Sequence, residues 1–359
     1  MWFHYDIMVL FSLSLSFIIV YVSIPSIVIV AHRKQLYDEP GRRKSHHQSV
    51  PNLGGIAIFV GLIVGTGLCV DITETKELIQ VMVAMVVIFF VGIKDDILVI
   101  APVKKLYGEI LATIIVVILA DVRFTSLHGF MGVYEIDYIT SIILTSFVVI
   151  VLINSFNLID GIDGLASGIG IVVSLTFGIW FFLTGHTNYA ILSASIFGSL
   201  LAFFGFNVFG EKNKIFMGDS GSLVLGLIMS VLVIKFNEFN ITYNGPYTIS
   251  SAPAVSFGIL IVPLFDTMRV FIIRLINGQS PFLPDNNHLH HRVLKLGFSH
   301  AGSTIVILLV NVLFIFIMLA CQTAGLVSLM ILNLSLAMFF SIITEIFIRR
   351  NEQHRHIGV

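Results

Sequence analysis

Acidic, amide, histidine and glycine residues gather in six short stretches of an otherwise apolar chain. In order these are GRRKSHHQSVPNLGG (41–55), GIKDD (92–96), NSFNLIDGIDGLASG (154–168), FMGDSGSLVLG (216–226), PLFDTMR (263–269) and PDNNHLHHR (284–292). Asp95 and Asp96 are adjacent carboxylates, which stay ionised together near pH 7 only beside a cation or hydrogen-bond donors. A solvated helix end next to Lys94 is the plainer reading, although acids at a helix C-terminus oppose its dipole. Asn154, Asn157, Asp160 and Asp163 recur every third residue, so a helical turn would put them on one face, with Gly161 and Gly164 admitting a ligand to the backbone. Ordinary turn composition is the alternative.

Asp219, between Gly218 and Ser220 and just before an apolar run, reads either as a helix N-cap or as a metal ligand beside a phosphate-binding helix terminus. Asp266 and Arg269 fit a local i, i+3 salt bridge. His288, His290, His291 and Arg292 suggest zinc at first sight. The surrounding carboxylates are hard oxygen ligands suited to magnesium, however, and histidines with an arginine match phosphate oxygens. Arg42, Arg43, Lys44, His46 and His47 would serve likewise, or would anchor the chain to acidic lipid.

The elements that position these groups must lie in a bilayer. Of 359 residues 57% are hydrophobic and only 11% charged, with a mean hydropathy of +0.98, which no ordinary polar surface tolerates. A hydrocarbon core of about 30 Å needs about 20 apolar residues per helix. Eleven candidate spans follow: roughly 7–31, 53–70, 78–93, 106–120, 138–153, 165–184, 189–208, 223–236, 255–276, 304–320 and 326–348. They are apolar on all faces rather than alternating, so helices are expected and a β-barrel is not. The fold class is all-α and polytopic, one integral-membrane domain over 1–359 with no separate soluble domain, and the span containing Pro263 is interrupted there. The first span lacks a basic leader and a cleavage site, so it is expected to be retained.

Alternating loops from an external N-terminus puts every Lys and Arg except Lys76, Arg123 and Lys235 on the inner side, which predicts N-terminus out and C-terminus in. All six polar stretches then face the cytoplasm. Cys69 and Cys321 read as small apolar residues. Carboxylates for a divalent ion, basic and imidazole donors, glycines and a lipid boundary together suggest phosphate chemistry between a soluble and a lipid substrate.

PNLGG (51–55), KDD (94–96), NLIDGIDGLA (157–166), FMGDSGSL (216–223) and HLHH (288–291), in this order, resemble the polyprenyl-phosphate N-acetylhexosamine-1-phosphate transferases. The resemblance covers about Gly41 to Arg292 and is nearest the undecaprenyl-phosphate GlcNAc-1-phosphate branch, because HLHH replaces three consecutive histidines and an eleventh span is expected. It implies a bacterial inner-membrane enzyme with a cytoplasmic site dependent on Mg2+, or Mn2+ in its place. The donor would be a UDP-N-acetylhexosamine, the acceptor undecaprenyl phosphate, and the products UMP and a lipid-linked sugar that primes a surface glycan.

By motif, Asp219 is implied as the metal ligand and Phe216 as the ring stacked on uracil. Asn157 and Asp163 are implied as nucleotide-binding residues, Asp95, Asp96 and Asp160 as catalytic, and His288, His290, His291, Arg292 and Lys44 as facing phosphates. A homodimer is implied as well; nucleic acid is not an expected partner. Phospho-MurNAc-pentapeptide transfer is the alternative within the family. A secondary transporter is the alternative outside it, but that would require midplane charges and an internal repeat, and neither is seen. A lipid phosphatase or protease would need a nucleophile or an HExxH helix.

Overall fold

The computed structural model describes residues 2–36, 50–71, 76–278 and 288–357. Long apolar runs in lipid must satisfy their own backbone groups, and they do so as helices. The order is α1 (Trp2–Lys34), α2 (Gly54–Gly67), α3 (Lys76–Leu98) and α4 (Pro102–Ile114), which a π-helical turn (Ile115–Leu119) prolongs. A two-stranded hairpin follows, β1 (Ser126–Phe130) with β2 (Val133–Glu135), then α5 (Tyr138–Ile159), α6 (Leu165–Leu183) and α7 (Thr187–Phe209). The chain continues through α8 (Gly218–Thr242), α9 (Ala252–Ile259), α10 (Ile261–Ile276), α11 (Leu289–Lys295), α12 (His300–Ala320) and α13 (Leu326–Ile357).

Eight of these helices are long and apolar enough to cross a membrane: α1, α3, α5, α6, α7, α8, α12 and α13. The chain is an all-α, multi-pass membrane protein. Every segment expected to span is helical. Those beyond the eight are the short α2, the α4 and π-turn pair, and the broken α9–α10. The antiparallel hairpin is not foreseen by the apolar pattern. Both cysteines are free.

α8 is the internal helix. Its apolar window is 83% buried, against 22% for α1 and 17% for α13, whose remaining surfaces are apolar and suited to lipid. The head of α8 is wedged between α2 and α3 at two glycines. A Cβ on Gly55 would come within 2.2 Å of the Gly221 nitrogen, and one on Gly92 within 2.4 Å of the Ser220 Cα. Backbone pairing completes the seat: Gly54 N–H donates to the Phe216 carbonyl at 2.9 Å, Gly55 N–H to Met217 at 2.8 Å, and Phe216 N–H to Pro51 at 2.8 Å. PNLGG is thus a docking strip for the segment that enters α8. At the opposite end of α8, Lys235 bonds Glu77 of α3 at 2.5 Å, and Tyr189 of α7 donates its hydroxyl to the same carboxylate at 2.6 Å.

The interruption of the ninth expected span falls at Leu260, three residues before the proline. Pro263 has no N–H to give to the Ile259 carbonyl, so that acceptor would be orphaned inside the bilayer. Asn311 of α12 supplies the missing donor, with its amide 3.0 Å from the Ile259 oxygen. Asn333 of α13 reaches the Ala254 carbonyl at 2.9 Å, and Asn237 of α8 donates to Ser256 at 3.0 Å. Three side-chain amides therefore hold α9 from three neighbouring helices.

Replacing Asn311 by Leu should destabilise the protein by about 1 kcal/mol, the scale of a polar bond between membrane helices. Thermal unfolding in detergent should report a midpoint lower by about 2–4 °C. An unchanged midpoint would show that the break holds without the amide.

Candidate functional site

The end of α3, the start of α4, the end of α5 and the head of α8 meet at one end of the bundle. Asp96 directs its carboxylate at the head of α8: Asp219 N–H donates to Oδ1 at 2.7 Å and Ser220 N–H to Oδ2 at 3.0 Å. A helix N-terminus carries free N–H groups and partial positive charge, so a carboxylate from another helix caps it as well as a local side chain would. Asp96 thus takes the cap that one of the two sequence readings gives to Asp219. The Asp219 side chain is released to point elsewhere.

It points at Lys105. The ammonium lies 2.9 Å from Asp219 Oδ1 and 3.1 Å from Asp95 Oδ2, and donates to Asn157 Oδ1 at 3.3 Å. The amide of Asn157 donates to Asp219 Oδ1 and, at 3.0 Å, to Ser222. Asp95 also receives the N–H of Ile100 at 2.8 Å, which fixes the turn between α3 and α4. Two ionised carboxylates brought side by side repel each other. Their convergence on one cation removes that cost.

One turn deeper on the same helices, buried Glu109 accepts a 2.6 Å bond from Asn154. Asn154 and Asn157 do share a helical face, as their spacing suggests. Asp160 and Asp163 do not continue it: the helix stops at Ile159, and the chain turns through Asp160 to Gly164, whose φ of +79° suits a residue without a side chain. Burial, with the charges of Asp219, Asp96 and Asp163 around it, pushes the Asp160 carboxyl well above the ordinary carboxylate range. Asp163 bonds Lys214 at 2.6 Å. Phe216 is half-buried next to that pair.

The histidine segment approaches the same turn from α11. His290 packs against Gly161, where a Cβ would lie 2.3 Å from its Nε2. His288 Nδ1 lies 3.0 Å from Asp266, which also accepts the Leu289 N–H at 2.8 Å and Arg269 at 2.9 Å. The expected Asp266–Arg269 pair therefore exists, and it forms part of the mount for the histidines. His291 stands beside His290, with ring centroids 4.3 Å apart. Arg292 turns the other way: it bonds Glu345 at 2.8 Å and Ser341 at 3.1 Å on α13. Burial, then the charge of His291, lowers His290 to about 3, so its ring is neutral at physiological pH.

Of the residues expected in a site, Asp95, Asp96, Asn157, Asp160, Asp163, Phe216 and Asp219 are brought to one end of the bundle, with His288, His290 and His291 alongside. Arg292 anchors α11 to α13, and Lys44 lies outside the described residues. Lys105, Lys214, Glu109 and Asn207 are not singled out by sequence. Lys105 could have been: it begins an apolar run in an acidic neighbourhood, yet counting it as one more inner-side cation hid it. A divalent ion fits this donor set. Among the described residues no three Asp, Glu, His or Cys form a ready-made metal group. Magnesium, however, takes one or two protein carboxylates and completes its shell with water and substrate phosphates. Asp219 and Asp95 already converge on a cation.

The comparisons with known proteins agree with one another. Residues 78–237 match the family described as glycosyl transferase family 4. A Bacillus subtilis (strain 168) protein named probable undecaprenyl-phosphate N-acetylglucosaminyl 1-phosphate transferase is 31% identical over 343 residues, 95% of this chain and 92% of its own. An undecaprenyl-phosphate alpha-N-acetylglucosaminyl 1-phosphate transferase of Salmonella typhi is 30% identical over 78% of this chain and 75% of its own. A decaprenyl-phosphate N-acetylglucosaminephosphotransferase of Mycobacterium leprae (strain TN) is 28% identical over 81% and 78%.

Two outcomes are expected. Asp96→Ala should cost about 1–2 kcal/mol of stability by uncapping α8, visible as a lowered melting midpoint without any ligand; a residue that only touched substrate would leave the midpoint alone. His290 is held neutral in the fold and has an ordinary value near 6.5 once unfolded. Its contribution is complete above about 6.5 and falls by about 1.4 kcal/mol per pH unit below it, down to its folded value. His290→Gln should therefore lose less melting temperature than the wild type between pH 7 and pH 5.

Proposed function

We propose, from the premise that the chain belongs to glycosyl transferase family 4, that it transfers N-acetylhexosamine 1-phosphate, most simply GlcNAc 1-phosphate, from a UDP-sugar to undecaprenyl phosphate. The observation that carries this reading is the convergence of Asp219, Asp95 and Asn157 on one cation, the Lys105 ammonium, at the head of α8. The relatives' names supply the substrates: polyprenyl phosphate and an N-acetylglucosaminyl 1-phosphate group.

In this reaction an oxygen of the lipid phosphate attacks the sugar-bearing phosphorus of the donor. The phosphoanhydride bond to UMP breaks, and the lipid diphosphate sugar forms. A phosphate monoester has a second pKa of about 6, so the nucleophile is mostly a dianion at pH 7 and needs little base catalysis. Positioning and charge neutralisation are the larger requirements. A magnesium ion, or manganese in its place, would supply neutralisation of the donor phosphates, held chiefly by Asp219 with Asp95 beside it.

Asn157 orients the Asp219 carboxylate, and Asp96 acts through the helix head that carries Asp219. Asp160 and the histidines face the same turn and are assigned to the phosphates. Phe216 and Asp163 are assigned to the nucleoside. Arg292 supports the histidines through α13 and is not assigned to substrate.

The same reading holds the whole of 1–359 as one domain with eleven crossings, N-terminus outside and C-terminus in the cytoplasm. The skew of Lys and Arg supports this orientation. The site then opens to the cytoplasm from a bacterial inner membrane, where a soluble nucleotide sugar and a lipid acceptor meet. A homodimer is part of the proposal through family resemblance.

Purified protein with undecaprenyl phosphate, magnesium and UDP-GlcNAc should release UMP, and omission of lipid or addition of EDTA should stop it. Asp219→Asn should lower turnover by roughly 100-fold or more, the scale set by losing a principal electrostatic contributor. Normal activity of that variant at ordinary magnesium would sink the metal assignment, and UMP release with other UDP-sugars in preference would rename the donor.

A further inference from the structure

α11 is only seven residues long, Leu289–Lys295, and a helix of that length keeps neither its shape nor its place unaided. It carries His290 and His291 with His288 at its N-cap, so whatever fixes α11 fixes the histidines. One mount is Asp266, at the N-terminal end. The other is Arg292, whose buried guanidinium crosses to α13. One of its nitrogens donates to the Ser341 hydroxyl at 3.1 Å, and another to the Ser341 carbonyl at 3.2 Å and to Glu345 Oε2 at 2.8 Å. The remaining Glu345 oxygen accepts from Arg349 at 2.8 Å.

Ser341 and Glu345 are one helical turn apart and so face α11 together. Around them α13 is a lipid-facing helix: Met338, Phe339, Ile342 and Ile346 are each more than half exposed. A carboxylate on such a helix is expensive unless it is used. Retaining α13 in the bundle does not require it, because buried Asn333 already ties α13 to the Ala254 carbonyl of α9 at 2.9 Å. After Glu345, Asp266 is the carboxylate whose charge acts on Arg292. Without Glu345 the guanidinium would therefore be drawn toward the other mount, and both would be disturbed.

We propose that Ser341 and Glu345 are positioning residues for the transfer: through Arg292 they hold His290 against the turn at Gly161, which makes α13 part of the reacting end. This rests on the reading of the histidines as facing the substrate phosphates. The fit at Gly161 leaves no slack, since a Cβ there would lie 2.3 Å from His290 Nε2. Misplacement of a group that contacts substrate by about 1 Å costs up to roughly 100-fold in rate, even when the change responsible lies far from the chemistry.

The test uses full-length protein in detergent and steady-state UMP release from UDP-GlcNAc with undecaprenyl phosphate. Glu345→Gln keeps the shape of the side chain and removes its charge. It should lower kcat about tenfold while KM for UDP-GlcNAc stays within about threefold. Arg292→Met should do the same, and the double variant should be no slower than Arg292→Met alone. His290→Gln should itself be slow, and adding Glu345→Gln should slow it by no more than about twofold, because the ring that Glu345 positions is already gone. A purely structural role would instead multiply the two losses. If Glu345→Gln does not fold, Ser341→Ala takes its place, with a loss of about threefold to fivefold for one neutral hydrogen bond.

A normal kcat in Glu345→Gln or in His290→Gln, or losses that multiply when the two are combined, overturns the proposal and leaves the transferase reading intact. A folded wild type that releases no UMP overturns both.

Discussion

The head of α8 takes its negative partner from another helix, and much of the site follows from that substitution. Had Asp219 capped its own helix, its carboxylate would be folded back on the backbone and lost to chemistry. The Asp96 cap is bidentate, drawing on the N–H groups of Asp219 and Ser220, so it fixes the roll and height of α8 as well as satisfying it. Like charges then have to be managed. Asp95, Asp96, Asp160, Asp163 and Asp219 share one end of the bundle, and four of them have a positive partner: two on Lys105, one on Lys214, one on a helix terminus. Asp160 is buried with acids around it, and burial first, then those charges, drives its carboxyl upward.

The broken helix solves a different problem, the presentation of histidines to that acidic end. Asp266 is almost wholly buried and carries His288, Leu289 and Arg269 at once, so α11 hangs from α10 at a single carboxylate. α10 is itself set by the interruption at Leu260, which the asparagines of α12 and α13 stabilise. A continuous helix would have placed Asp266 elsewhere along the bundle. Amides are suited to this task because they satisfy backbone carbonyls in lipid without introducing charge.

The helices were legible because lipid leaves an apolar run few alternatives, and the acidic end was legible because clustered polar residues beside a membrane need a use. Geometry that depends on contacts between distant segments was not. Nothing in KDD states that its second acid caps a helix more than a hundred residues onward, and nothing in PNLGG states that its backbone pairs with Phe216 and Met217. The three-residue rhythm of NSFNLIDGID misled in part: it is a helical face for two asparagines and a turn for two aspartates, because α5 stops at Ile159 and α6 starts only after Gly164. Arg292 looked like a phosphate ligand from its company, whereas tertiary packing commits it to Glu345.

α8 spans the distance from Asp219 to Lys235, about 24 Å at the helical rise, and is pinned at both ends to α3, by Asp96 at one and Glu77 at the other. The outer surface of the bundle is left to helices such as α1 and α13, which present their apolar sides. The pair α3–α8 is therefore a ruler of fixed length inside a sleeve that can tilt. When the surrounding bilayer thickens or thins, the outer helices can absorb the mismatch by tilting. The separation of the acidic end from the Glu77 end is thereby set by the rise of one helix.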